Sequence, residues 1–433
     1  MDKYNIKIIT DSFEFLGDIE DYISFFYRRN YNKSRDFQLV ASMKYQDILK
    51  NGHIIFIDPK KAGFIEEVTI DEEKNTVTAK GRDLKSILNR RVTIPPTGLD
   101  YDYIKGDAET VIKHYINANA ITAIDPKRNI NQLVIAENKH RGEIISYQTR
   151  LKDLLVETET IATATGLGFN IELDLVNKRF VFDVYEGKDL TVNNRVMFSS
   201  DFDNLYNTIT TVNTLNQRSM AYVAGQGEGV DRNIKQVFKS NDTGLNRKEL
   251  YIDARDINED EDLEDRAKIK LSEYERIEST ESTIANDNFI YEKDWDVGDI
   301  VIKKTEKSID SLRVVEVTEV YEGYRKIDIT LGSILTSLID EINNKVNDIG
   351  TSVGATGGVS SVNPNVWKPV VDVNGNLTWK YSLATDTPTS MNIKGPKGDT
   401  GPQGPAGEGG TKIFTQSTEP TSIISGDVWI QTI

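Results

Sequence analysis

Between Ile393 and Gly410 the chain reads "IKGPKGDTGPQGPAGEGG", with glycine at every third place: Gly395, Gly398, Gly401, Gly404, Gly407 and Gly410. In a collagen triple helix every third residue faces a crowded axis where only glycine fits. Pro396, Pro402 and Pro405 carry the ring-locked φ that this extended conformation uses. The alternative is a disordered Gly/Pro-rich linker. Five full triplets extend only about 45 Å at the polyproline rise, too short to gather three free chains. The repeat therefore predicts a homotrimer held together elsewhere and continued here, where local concentration is already high. Gly395, Gly398, Gly401, Gly404 and Gly407 would then line the trimer axis.

The other 400 or so residues have to say what the trimer is for. A chain of 433 residues is too long for one core, and roughly two to four domains are expected. It has no cysteine, which removes disulfides, thiolate catalysis and Cys-based zinc sites. Its net charge of −16 repels nucleic-acid phosphates, and no basic patch of useful size is visible along the sequence. No sequence-specific nucleic acid is expected as a partner. "MDKYNIKIIT" lacks the basic and apolar regions of a signal peptide. No apolar run approaches the roughly 20 residues that span a bilayer. Synthesis in the cytoplasm, no export by the general pathway and no stable membrane anchoring are expected. Abundant Ile, Val, Thr and Tyr point to a β-rich α+β fold with helices as punctuation.

The first segment reads as strands: "YNIKIIT", "DFQLVAS", "HIIFID" and a hairpin over Ala62–Gly81. "GRDLKSILNRRVTIPP" predicts a helix, with Leu84, Ile87 and Leu88 on one face and Asp83 near its start, ended by Pro95 and Pro96. Helices are expected over Gly106–Ala120 and Thr149–Phe169, then a hairpin over Phe169–Gly187 turning at Asn177–Lys178. Strands return at "LYNTITTVNTLN" and Ser219–Phe238. An amphipathic helix follows over Asp260–Ile277, then a three-strand meander ending at Ser333. A helix over Ile334–Ile349, a linker, a Trp-bearing hairpin with an Asn-Gly turn, the glycine repeat and a small strand pair over Ser417–Ile433 complete the chain. The domain boundaries this gives are 1–96, 97–190 (α+β), 191–333 with an inserted helix, 334–365 (helix and linker) and 366–433, with the collagen-like repeat at 395–410.

Few residues point to chemistry. "GQGEG" at Gly225–Gly229 lacks the following helix that a phosphate loop needs, so a β-turn is expected. "DINEDEDLED" lacks the glycine and distal glutamate of a calcium loop and reads as a solvated helix start. "DVNGN" has oxygen ligands that an Asn-Gly hairpin explains. His53 falls on an apolar strand, His114 on a helix without a zinc-protease spacing, and His140 in a loop. With no Gly-x-Ser-x-Gly elbow, nucleophilic catalysis has no carrier, and no catalytic residue, metal or cofactor is expected. Trp367 and Trp379 could stack on a sugar, as could Trp295 and Trp429; the alternative is that each is the core of a small hairpin.

Four stretches in order, "GRDLKSILNRRVTIPP", "AGQGEGVDR", "DVGDIV" and "YRKIDITLGS", resemble the baseplate-hub family of long-tailed phages and prophages, the siphovirus ReqiPepy-type tail proteins. The resemblance covers roughly residues 1–335. "GNLTWKYS" and "GDVWIQT", on either side of the glycine repeat, are similar to modules at the ends of tail fibres. The resemblance implies a homotrimer with two related β-barrel-like domains per chain, 1–96 and 191–333. These would build a six-fold-like ring that adapts the tail tube to a three-fold tip and gates the channel for DNA. It implies as partners a distal tail protein, the tail tube and the tape measure protein, and places the protein at the virion tail tip, assembled in the host cytoplasm. Many relatives carry a peptidase or lysozyme-like domain downstream. Here only a linker, hairpins and the repeat follow Gly332, so no enzyme is expected. The rival reading is a carbohydrate-binding adhesin that contacts a host-surface glycan through Trp367 and Trp379; a cell-wall hydrolase is a third.

Overall fold

The computed structural model describes residues 4–193, 195–257, 260–285, 288–306, 308–332, 368–371, 376–380, 391–392, 412–422 and 427–432. The chain divides into two compact units, Met1–Ser352 and Val353–Ile433. The expected helix over 334–349 and the glycine repeat at 395–410 lie outside the described residues.

The first β segment holds β1 (Ile6–Ile9), β2 (Phe15–Ile19), β3 (Ser24–Asn30), β4 (Asp36–Ser42), β5 (Ile54–Asp58), β6 (Lys61–Asp71) and β7 (Thr76–Asp83). In β4 the burial alternates with period two, so Phe37, Leu39 and Ala41 face a core with Phe25, Tyr27, Val77 and Ala79. β6 and β7 form the expected hairpin, from Ile70 opposite Val77 down to Gly63 opposite Asp83. The helix expected next is instead a 3-10 turn over Leu84–Arg90. Leu84, Ile87 and Leu88 are buried as that spacing requires, but Asp83 caps nothing. Its carboxylate accepts from Ser34 Oγ at 2.5 Å, because Asp83 still belongs to β7.

The α+β segment contains β8 (Asp102–Asp107), α1 (Ala108–Ile116), β9 (Leu133–Ile135), β10 (Ile144–Thr149), α2 (Leu154–Thr165), β11 (Gly168–Asp174) and β12 (Arg179–Tyr185). Asp107 caps α1 by accepting from Thr110 N. Asp153 caps α2 by accepting from Leu155 N and Val156 N, and Gly166 ends it in the left-handed region at φ +69. That cap is why α2 starts later than the apolar pattern suggests. The residues from Thr149 back to Ile144 pair with β8 instead. Both helices and the β11–β12 hairpin share one core with Phe56, Phe64 and Leu88 of the first segment.

The second β segment holds β13 (Met197–Ser199) and β14 (Leu205–Asn213), followed by an insertion. This comprises β15 (Met220–Ala224), β16 (Ile234–Phe238), β17 (Glu249–Asp253) and α3 (Asp260–Ser272). The expected inserted helix is therefore part of a small lobe with its own sheet, ordered β16-β15-β17, and its own core of Ala221, Val223, Ile252, Leu263, Ala267 and Leu271. The segment resumes with β18 (Ile277–Ile284), β19 (Ile300–Lys304), β20 (Ile309–Tyr321) and β21 (Arg325–Gly332), the last three forming the expected meander.

Both β segments belong to one 13-stranded sheet, ordered β14-β18-β21-β20-β3-β4-β7-β6-β5-β1-β2, with β13 and β19 branching from β20. The join is antiparallel β20–β3, from Glu316 opposite Asn30 to Tyr321 opposite Phe25. Among the described residues neither segment closes on itself, so the barrel-like closure implied by the family resemblance is not observed. A strand has two edges, and those of β3 are taken by β4 and β20. None is left for β2, the strand that would close the first segment.

In the second unit β22 (Lys368–Val371) pairs antiparallel with β23 (Asn376–Lys380), and β23 with β24 (Met391–Asn392). The Asn-Gly turn expected between β22 and β23 falls outside the described residues. β25 (Ile413–Gln416) and β26 (Val428–Gln431) run parallel. The expected last strand pair is thus formed with a strand lying before Ser417.

Candidate functional site

The most constrained region is where the three segments of the first unit meet. Tyr31 follows β3 directly, and its ring lies between Gly168 at the start of β11 and Gly298 before β19. A Cβ on Gly168 would stand 2.3 Å from the Tyr31 ring, and one on Gly298 2.5 Å. Gly298 is also in the left-handed region at φ +98, which glycine adopts at no steric cost. Tyr31 N donates to Val315 O at 2.9 Å, and Tyr31 O accepts from Phe169 N at 3.1 Å. Its hydroxyl donates to Gly166 O at 3.0 Å, and the Arg313 guanidinium sits 4.7 Å from the ring centre. One side chain thus ties all three segments.

Beside it runs a buried ionic seam along the β3–β20 join. Lys61, on β6, has no exposed side-chain surface. Its Nζ meets Glu319 at 2.6 Å and Glu292 at 2.8 Å. Arg325 reaches the other oxygen of Glu319 at 2.6 Å. Arg29 meets Asp296 at 2.8 Å and Glu292 at 3.1 Å, and donates to the Tyr291 hydroxyl at 2.7 Å. Glu292 bridges Lys61 and Arg29 from a left-handed backbone, φ +67, a cost a non-glycine residue bears only where its surroundings over-determine it. Arg29, Lys61 and Arg325 balance Glu292, Asp296 and Glu319. Burial raises the Glu319 carboxyl, but Lys61 and then Arg325 outweigh it, and the group ends below its ordinary value. Burial likewise pulls Lys61 down, and Glu319 and Glu292 more than restore it, so the ammonium ends above its ordinary value.

The sequence-level candidates do not converge here. His53 Nδ1 lies 2.8 Å from Ile48 O, His114 Nε2 2.9 Å from Asp102, and His140 Nδ1 2.9 Å from Asp107. "GQGEG" leads through a short 3-10 turn into β16, with no helix behind it. The acidic stretch does start a helix, α3, as expected, and two of the acids within it are bonded to the α+β segment. Asp265 accepts from Ser146 N at 3.0 Å and from Ser146 Oγ at 2.9 Å, and Asp262 from the Tyr103 hydroxyl at 3.3 Å. These two acids fasten the inserted lobe to β8 and β10. Trp295 is buried against Phe198 and Tyr291. Trp429 Nε1 donates to Gln416 O at 3.1 Å, inside its strand pair. Trp379 lies on β23 opposite Pro369; Trp367, Gly395, Gly398, Gly401, Gly404 and Gly407 lie outside the described residues. Among the described residues no group of three or more His, Asp or Glu is placed to hold a metal ion, and no helix is long and apolar enough to cross a membrane. Sequence reasoning missed Tyr31, Lys61 and Glu319. The only local signal was "DVGDIV", whose Gly298 forms one wall of the Tyr31 slot.

The first unit is thus a broad sheet fixed at its centre by packing and paired charge. Residues 5–333 match the family model described as Siphovirus ReqiPepy6 Gp37-like protein, and the chain belongs to this family of phage tail proteins. No curated protein matches. Among solved structures the fold is similar to the 43 kDa tail protein of prophage MuSo2 from Shewanella oneidensis, with a TM-score of 0.50 at 11% identity, covering 76% of this chain and 98% of that one. It is also similar to the tail protein from Neisseria meningitidis MC58, with a TM-score of 0.51 at 16% identity, covering 76% and 96%. At such identities the likeness establishes the fold: a β-rich phage-tail architecture with few helices.

Proposed function

We propose that the chain is a baseplate hub subunit, assembling as a homotrimer whose wall adapts the tail tube to the tip and gates the channel for DNA. The observation that carries this reading is the β3–β20 join. It makes one rigid wall from two β segments far apart in sequence, and three copies would present six segments toward a six-fold tube. The sheet's ends agree with further assembly. β14 and β2 each have an edge with no partner among the described residues, and Tyr206, Ile209 and Val212 on β14 and Phe15 on β2 are exposed. Such edges are liabilities in a monomer unless another chain covers them. A distal tail protein, the tail tube and the tape measure protein are the partners this role requires.

Light scattering tests the reading. The purified chain should weigh three times its 48.8 kDa, and negative-stain images should show a ring with a central hole. A clean monomer at micromolar concentration overturns it. Deleting residues 393–410 should leave the trimer intact, with the glycine repeat continuing it; loss of the trimer would move the clamp into the repeat.

A further inference from the structure

One charge cluster is left over by the fold and by the hub reading. Arg90 and Arg91 end the 3-10 turn after β7, and Lys127 and Arg128 end another at Pro126–Arg128. With Asn89 and Val92 they line a shallow surface pocket of about 270 Å³. Each pair is a dipeptide of no weight alone, and Arg91 and Arg128 are 37 positions apart. That separation is why no basic patch was visible along the sequence; the fold builds one.

The Arg91 and Arg128 guanidiniums are held by backbone carbonyls, while that of Arg90 lies over the Phe64 ring, 4.3 Å from its centre. Arg91 Nε donates to Arg128 O at 2.6 Å and its Nη1 to Arg90 O at 2.8 Å; Arg128 Nη2 donates to Val92 O. These bonds fix the planes and leave other N–H groups unused. Among the described residues none of the four cations has a carboxylate at ion-pair distance. Glu66, the acid acting most on Arg90, is already engaged by Arg82 at 2.8 and 2.9 Å. Partial burial, helped by Arg82 and Arg91 against Glu66, pulls the Arg90 guanidinium below its ordinary value. Burial and then Arg91 do the same to Arg128, against the opposing pull of Asp125.

Acids outnumber bases 68 to 52 in this chain, so four clustered cations without a carboxylate at ion-pair distance are not what chance pairing would leave. Like charges held together raise the folded state's energy, and an anion from outside the chain would remove that cost. The Arg91 and Arg128 guanidiniums and the Lys127 ammonium, with the Arg90 charge beside them, match an anion with several oxygens and more than one negative charge; a single carboxylate would leave most of the positive charge uncompensated. We propose that this pocket is a phosphate-binding site, which takes either a free phosphate-type ion or a phosphate group of a phosphodiester polymer.

Calorimetry on the full chain, with pyrophosphate as probe in chloride at fixed ionic strength, tests it. One saturable site per chain is expected, weakened at least tenfold in Arg128→Gln. Lys127→Glu, whose exposed side chain carries none of these backbone bonds, should weaken it comparably while circular dichroism shows an unchanged fold. Inorganic phosphate and a short glycerol-phosphate polymer separate the two sources. Tighter binding of the polymer assigns the pocket to a phosphodiester chain, equal or weaker binding assigns it to the free ion, and either upholds the site. No saturable binding, affinity unchanged in both variants, or tighter binding of polyglutamate than of pyrophosphate overturns it. The outcome does not depend on whether the chain is a hub.

Discussion

Two clusters of charge in the same unit follow opposite rules. In the seam, Lys61, Arg29 and Arg325 are each matched by a carboxylate at 2.6–3.1 Å, and Lys61 is fully enclosed. In the pocket, Arg90, Arg91, Lys127 and Arg128 stand at the surface without a carboxylate at ion-pair distance among the described residues, and only Arg91 and Arg128 are held, by backbone carbonyls. A buried ion pair loses hydration on both members and is tolerated only when geometry and hydrogen bonds return most of it. The seam meets that demand, which marks it as structure. The pocket is solvated enough to avoid it and so can keep its cations for something outside the chain. Pairing, more than charge density, separates the two roles.

The comparison breaks most readily at Glu319. Glu319→Ala leaves Lys61 enclosed with one carboxylate fewer and Arg325 without its partner, which should destabilise the first unit by about 3–5 kcal/mol. Urea unfolding followed by tryptophan fluorescence measures it, since Trp295 lies in the adjoining core. A loss below about 1 kcal/mol, the range of exposed pairs, would mean that water reaches the seam and that the contrast with the pocket is false.

A milder test uses protons. The Glu319 carboxyl titrates below its ordinary 4.5 when folded, so the unfolded chain binds more protons there as pH falls. The stability it contributes is fully present above 4.5 and is lost as pH drops through the lowered folded value. The gap in unfolding free energy between the natural chain and Glu319→Gln should therefore be constant near neutrality and close on acidification. A gap that stays constant down to pH 3 would show that Glu319 acts through packing alone.

How much of this could be read in the sequence depends on whether a feature is local. The strand composition around "DFQLVAS" gave β4 to the residue, because one strand against one core is a short-range pattern. Asp107, Asp153 and Gly166 likewise mark their helix ends within a few residues. The β3–β20 join was not legible, because Asn30 and Glu316 carry no mark of each other across 286 positions. Nor was the opening of the sheet, which depends on which strand takes the second edge of β3. "GRDLKSILNRR" shows the intermediate case. Its apolar spacing correctly gave the buried face, yet the same three residues bury equally well from a 3-10 turn, so the spacing could not choose the helix type. The pocket failed for the reason the join did: "RR" and "KR" become a site only when two turns meet.

The smallest effect is the most diagnostic of that difference. Lys127→Gln removes one cation from a cluster that the fold does not neutralise. No paired carboxylate is orphaned and no backbone carbonyl loses a donor. In chloride its unfolding free energy should stay within about 0.5 kcal/mol of the natural chain, as for other exposed positions. Because the repulsion between Lys127 and the other three cations is removed, the sign should be stabilising at low ionic strength and fade as salt screens it over a Debye length of about 8 Å near 0.15 M. A seam cation behaves in the opposite sense: Lys61→Gln leaves Glu319 and Glu292 short of a partner and destabilises whatever the salt. Paired urea titrations of the two variants at low and high ionic strength measure both signs. If Lys127→Gln also destabilises, with no salt dependence, then Lys127 has a counter-charge within the protein, and the pocket is a second seam with nothing left over for an external anion.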